Sequence, residues 1–199
     1  MNQTKDKKQL ILDVATRIFS RFGYAKTSLD KIAQDAQIAK GTIYYYFPSK
    51  EDLFMEVVQS QGRDFVDEMH RNLLKIEGFE NKLRYFMQAP MTYVCEKMPL
   101  WMEGLRSIPF NFQQHFDKFR TENREQMLKL LLEIMDEGIK NGLVSDLVPM
   151  ERLCEVINDW FLMGNLSIVV VDFEELLSRI KRDHEVIMKL IMYGILKRG

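Results

Sequence analysis

Cysteine, histidine, proline and glycine are all scarce in this chain: two, three, five and ten of 199 residues. Cys95 and Cys154 lie far apart and form no C-x-x-C pair, so they read as two reduced thiols of a cytoplasmic protein. His70, His115 and His184 are widely separated, and none stands at ligand spacing from a cysteine, so no metal site is expected. The glycines build no phosphate-binding loop and no nucleophile elbow. The equipment of an enzyme is therefore missing, and no cofactor is expected. The run nearest to a membrane span, Leu153 to Val171, is interrupted by Asn158 and Asp159. Met1 to Lys8 does not read as a secretory signal. A cytoplasmic protein with no membrane partner is the expectation.

What is present is apolar surface and an uneven charge. At 46% hydrophobic residues the chain can build a real core and is not compositionally disordered. Residues 1–50 hold nine Lys/Arg against four Asp/Glu, whereas residues 51–199 hold 19 against 25. A basic first segment and an acidic remainder suggest that only the first meets a polyanion.

Helical spacing runs through the whole chain. Leu10, Ile11, Val14, Ala15, Ile18, Phe19 and Phe22 predict a first helix from about Lys5 to Phe22, with Gly23 as its C-cap. Thr27 to Asp30 fits a capping box, with Thr27 as N-cap of a short second helix to about Asp35. Gln37 to Ala39 is the turn, and a third short helix spans roughly Lys40 to Phe47 before Pro48 stops it. Ser49 to Asp52 is a second capping box and opens a long fourth helix, broken near Gly78. Further on, a helix from Glu80 to about Met98 is expected to kink or split at Pro90, and Pro99 and Pro109 bracket a short segment. A long helix from about Asn111 to Lys140 ends at Asn141-Gly142. Two last helices cover about Met150 to Val171 and Glu174 to Lys197. The expected fold is all-α: a three-helix helix-turn-helix head over residues 1–50 and a larger helical domain over residues 51–199.

The stretch from Thr27 to Lys50 carries the chemistry. Three successive tyrosines on a short helix, Tyr44, Tyr45 and Tyr46, cannot all face a core, because helix geometry turns each in a different direction. Gly41 weakens the start of that helix and suits a close approach of its backbone to something else. Lys50 offers a cation, and Thr27 and Ser49 mark helix N-termini suited to phosphate.

At these residues the chain resembles the tetracycline-repressor (TetR/AcrR) family of bacterial transcription regulators. The likeness covers about residues 8–55, including FSRFGYAKTSLDKIA and AKGTIYYYFPSKEDLF. It implies a double-stranded DNA operator as partner. Lys40, Gly41 and Thr42 then match the positions that reach base edges. Tyr44 and Tyr45 match aromatics that touch phosphate and thymine methyls, and Lys50 matches a phosphate-binding lysine. Thr27 and Ser28 match the polar start of the second helix, which touches the DNA backbone. Tyr46 departs from the family, where histidine is frequent, although a phenol also donates to phosphate. Ile43 and Phe47 are expected to anchor the helix to the core.

Beyond residue 60 the resemblance is architectural. It implies that the last two helices pair across a two-fold axis into a homodimer. Leu153, Ile157, Trp160, Phe161, Gly164 and Ile168 line the first of them; Leu177, Ile180, His184, Ile187, Ile191 and Ile195 line the second. The middle of the chain is rich in methionine and aromatics: Met87, Met91, Tyr93, Met98, Trp101, Met102, Phe110, Phe112, Phe116, Met127 and Met135. Methionine adapts to varied apolar ligands, so a hydrophobic or amphipathic small-molecule effector is expected there. The implied mechanism is a repressor released from a palindromic operator when the effector favours a form with its heads farther apart. The competing reading is a DNA-bound dimer without an effector, whose acidic body recruits another protein.

Overall fold

The computed structural model describes residues 2–107, 110–144, 149–161 and 173–196. Among them are eight helices and no strand: α1 (Asn2–Phe22), α2 (Leu29–Asp35), α3 (Lys40–Tyr46), α4 (Lys50–Leu73), α5 (Phe79–Ser107), α6 (Phe110–Lys140), α7 (Met150–Phe161) and α8 (Phe173–Ile195). The all-α expectation holds. The chain forms two compact units, one of residues 1–63 with 97–119, the other of residues 64–96 with 120–199.

The first unit is built on the stripe read from α1. Ile11, Ala15, Ile18 and Phe19 are buried, as are Ile32 and Ala33 of α2, Ile43 of α3, and Leu53, Phe54 and Val57 of α4. Each large side chain buried in this way contributes roughly 1.5–3 kcal/mol. Phe54 meets Phe19 edge-on at 5.1 Å and Tyr24 at 4.8 Å between ring centroids. Gly23 ends α1 as expected, at φ 78, and its N–H bonds the Phe19 carbonyl at 2.9 Å.

The cap of α2 lies one residue later than its sequence suggests. Ser28 is the N-cap and its hydroxyl accepts from the Lys31 N–H. Thr27 is buried instead, and its hydroxyl donates to the Gly23 carbonyl at 2.7 Å. Both residues are good caps, and Thr27 is drawn inward because its hydroxyl satisfies the end of α1. At the other end, α2 closes in a Schellman motif. Gln37 N–H bonds the Gln34 carbonyl at 3.1 Å, and Ile38 N–H bonds Ala33 at 3.0 Å. The left-handed position of this motif, φ 54, is held by Gln37 rather than glycine.

The second unit has its own core, joining Met69 of α4, Leu83, Phe86 and Met87 of α5, Met127, Leu131 and Met135 of α6, Cys154 and Ile157 of α7, and Met188 and Met192 of α8. Asn72 donates to the Tyr85 hydroxyl at 2.8 Å, and a Lys82–Glu137 ion pair joins α5 to α6. Helix α5 departs from its expected boundaries. It passes through Pro90 and Pro99 without ending, and the segment thought to stand alone after Pro99 is its last part. Each interior proline costs about 3 kcal/mol. Burial of Phe79, Leu83, Phe86, Met87 and Met91 along one stripe outweighs that cost.

Candidate nucleic-acid interface

Helix α3 has two sides of opposite character. Ile43 is fully buried and Phe47, its C-cap, is 3% exposed, so this side anchors the helix as expected. Lys40, Gly41, Tyr44 and Tyr45 are exposed; Thr42 and Tyr46 are half-buried. Tyr45 is 77% exposed, a large apolar ring left in water. Tyr46 sets its ring edge-on to Tyr45, with centroids 4.9 Å apart. The three tyrosines thus separate into two exposed rings and one partly packed ring. Gly41 is in open space: a Cβ built there meets nothing within 4 Å. Nothing in the fold requires glycine at this position.

Lys40 is not an unattached cation. Its ammonium bonds the Asp30 carboxylate of α2 at 2.8 Å. That hydrogen bond holds its pKa above the ordinary lysine value. On α2, Lys31 pairs with Asp35 at 2.7 Å, and Arg17 approaches the same carboxylate at 3.8 Å.

The start of α4 is capped by Ser49, whose hydroxyl accepts from the Asp52 N–H at 3.0 Å and donates to the Asp52 carboxylate at 2.6 Å. Lys50 is half-buried, with its ammonium 4.1 Å from the centroid of the Tyr24 ring. Tyr24 in turn donates its hydroxyl to Glu51 at 2.7 Å. Burial, and then the Glu51 carboxylate, push the Tyr24 phenol well above its ordinary pKa. Burial opposes ionisation of Glu51, but the hydrogen bonds it accepts keep its pKa below the usual carboxylate value. Tyr24 was not singled out from sequence. Its position directly after the Gly23 cap was the available signal.

Ser28, Lys40, Gly41, Thr42, Tyr44, Tyr45, Tyr46 and Lys50 all keep some exposure in the first unit. Thr27 does not. It is 4% exposed, its hydroxyl is committed to Gly23 and its N–H to the Tyr24 carbonyl, so it supports the head from within and offers no side chain to a ligand.

In the second unit, Met87, Met127 and Met135 are fully buried core, and Met91 is nearly so. Tyr93 stacks on Phe65 with centroids 4.3 Å apart; burial, and then Asp64, push its phenol up to about 12. The side chains of Met98, Trp101, Met102, Phe110, Phe112 and Phe116 lie outside the described residues. So do those of Trp160, Phe161, Leu177 and Ile180, together with Gly164 and Ile168. Ile157, read from sequence as interface, is fully buried within its own unit and is core. Ile195 is core as well. Leu153, Ile187 and Ile191 are partly buried against that core, and His184 is half-buried. The open face of α8 is another one: Val186, Leu190 and Tyr193 are 58%, 68% and 69% exposed. Burial pushes the Cys154 thiol up to about 11, so it is not a reactive thiolate near neutral pH. Asn158 is fully buried in this apolar setting. Its Nδ2 donates to the Arg124 carbonyl at 3.1 Å, while among the described residues its Oδ1 has no partner.

Among the described residues no helix is long and apolar enough to cross a membrane, and no group of His, Cys, Asp and Glu is placed to hold a metal ion. The profile of bacterial regulatory proteins of the tetR family matches residues 11–57. An uncharacterized HTH-type transcriptional regulator of Bacillus subtilis, YhgD, is 50% identical over 148 residues, 72% of this chain and 75% of that protein. The fatty acid metabolism regulator protein of Bacillus subtilis is 27% identical over 153 residues, 73% of this chain and 75% of its own length. The crystal structure of the transcriptional regulator FadR from Bacillus subtilis in complex with stearoyl-CoA shares the fold. Its TM-score is 0.61 at 20% identity, covering 94% of this chain and 99% of that one.

Proposed function

The chain belongs to the tetR family of bacterial regulatory proteins and is a DNA-binding transcriptional regulator, and from that premise we propose that it is a homodimeric repressor. In this reading residues 1–50 bind a near-palindromic operator through α3, and residues 51–199 dimerise and take up a hydrophobic or amphipathic effector that releases the DNA. The observation that carries the reading is the outer side of α3. It offers two exposed tyrosine rings, a lysine, and a glycine that the fold itself does not need. A major-groove helix reads bases with residues near its N-terminus, where Lys40, Gly41 and Thr42 stand.

The open stripe of α8 supports a dimer. Val186, Leu190 and Tyr193 recur at helical spacing and leave apolar surface that a second copy would cover. A dimer presents two heads, which is what a two-fold operator requires. The methionine-rich core of the second unit supports an apolar effector, and the unpartnered Asn158 Oδ1 supports one that carries a hydrogen-bond donor. An acyl-CoA thioester has both an apolar chain and amide N–H groups. The likeness to the fatty acid metabolism regulator makes it the first class to try.

The test starts from purified protein and a random duplex library at near-physiological salt. Selection should recover a palindrome, and stearoyl-CoA, but not free CoA, should then release the protein from it. Recovery of a palindrome without release by any acyl-CoA would favour a regulator that recruits a protein partner. Salt-sensitive bulk binding with no enriched sequence would contradict the operator reading.

A further inference from the structure

The Lys40–Asp30 pair is an unusual feature to find on a surface that meets DNA. Lys40 is the first residue of α3 and Asp30 the second of α2, and their side chains are 44% and 69% exposed. An ion pair this open contributes little to stability, so the fold does not need it. Its carboxylate is 2.8 Å from the very ammonium expected to meet the DNA. Any phosphate that reaches Lys40 therefore comes well within a screening length of Asp30, about 8 Å at physiological salt. The other carboxylate of α2, Asp35, is occupied by Lys31 of its own helix and by Arg17, not by α3.

We propose that Asp30 is a specificity residue: it stands in for phosphate at Lys40 and so weakens binding to arbitrary DNA more than binding to the operator. On arbitrary sequence, affinity comes from neutralising phosphates and releasing their counterions. A Lys–Asp pair carries no net charge and neutralises none, unless it breaks and leaves Asp30 facing the polyanion. On the operator, Lys40 bonds acceptors on a base edge, an interaction that depends less on net charge and tolerates Asp30 holding the ammonium from behind. Asp30 then acts through Lys40, as a positioning residue.

The inference rests on α3 being the DNA-facing helix, and the experiment separates the two. Binding of the full chain is measured between about 0.05 and 0.2 M salt on a random-sequence duplex pool and on the duplex selected from it. The variants are Asp30→Asn, Lys40→Ala and both together. Asp30→Asn should steepen the salt slope on the pool by about 0.9, which widens the affinity change over that range roughly three-fold. Its effect on the selected duplex should be smaller, so discrimination falls. In the Lys40→Ala background there is no ammonium for Asp30 to hold, so the steepening of the pool's salt slope and the loss of discrimination caused by Asp30→Asn should vanish, leaving only relief of repulsion that is equal on both DNAs. Persistence of the same slope change and the same loss of discrimination would mean that Asp30 acts independently of Lys40, and would overturn the proposal. An unchanged slope, or equal weakening on both DNAs, would overturn it too. If Lys40→Ala alone changes neither affinity nor slope, the reading of α3 itself fails. Thermal melting of each variant shows whether the head remains folded.

Discussion

Two helical glycines, one in each unit, sit in opposite surroundings. A Cβ at Gly138 of α6 would lie 2.6 Å from both the Phe79 ring and the Val144 side chain, whereas one at Gly41 of α3 meets nothing within 4 Å. The first glycine is accounted for by the protein's own packing. The second is not, and its account has to come from outside the chain. The same contrast runs through the two units. In the second, Met87, Met127, Met135 and Leu131 turn inward to a packed core, although Val186, Leu190 and Tyr193 of α8 stay open. In the first, Tyr44 and Tyr45 turn outward, 47% and 77% exposed, leaving large rings in water.

The comparison can be broken by substitution. Gly138→Ala should destabilise the second unit by about 2 kcal/mol, because the Phe79 ring must shift within a packed core. Urea unfolding measures this, and DNA affinity per folded molecule should not change. An unchanged midpoint would mean that the Gly138 site is looser than its geometry states.

Tyr24→Phe, in the head, should cost roughly 1 kcal/mol at neutral pH by removing the hydrogen bond to Glu51. Glu51 has a folded pKa below its ordinary value, so its contribution is complete above that ordinary value and is lost as pH falls through the folded one. The melting temperatures of wild type and Tyr24→Phe should therefore converge on the acid side. A constant gap would show that Glu51 does not respond to the tyrosine.

A smaller effect of opposite sign is expected at the Schellman turn. Gln37→Gly relieves the left-handed backbone at φ 54 and should stabilise the head by about 0.5 kcal/mol, the difference between that strain and the entropy a glycine loses. A loss of stability would point to a role for the Gln37 side chain.

Much of this was legible in the sequence, for identifiable reasons. The α1 stripe, the Gly23 cap and the Ser49 box each follow a local rule, and the structure keeps them except at the edges of the stripe, where Leu10 and Phe22 are exposed. The N-cap of α2 slipped by one because Thr27 and Ser28 satisfy the rule equally, and only the tertiary pull of the Gly23 carbonyl separates them. Pro99 misled as a boundary, and Pro90 does not split the helix, because a local breaker was set against a buried stripe whose extent shows only after folding. On α7 and α8 the apolar residues cover more than one face. Periodicity therefore located both stripes but could not say that Ile157 turns inward while Leu190 stays open. Asn158 showed in sequence only as a break in an apolar run. Its unpartnered oxygen is a property of the packed state.

The most direct test of the DNA-facing role of α3 is to measure the thermal stability and operator affinity of Gly41→Ala side by side. Alanine fits the empty space and is the better helix former, so the variant should be more stable by about 0.5–1 kcal/mol. If DNA comes close to this backbone, the same methyl group should weaken operator binding at least about ten-fold, the equivalent of roughly 1.4 kcal/mol. A variant that is more stable and binds the operator as tightly as wild type would contradict the account.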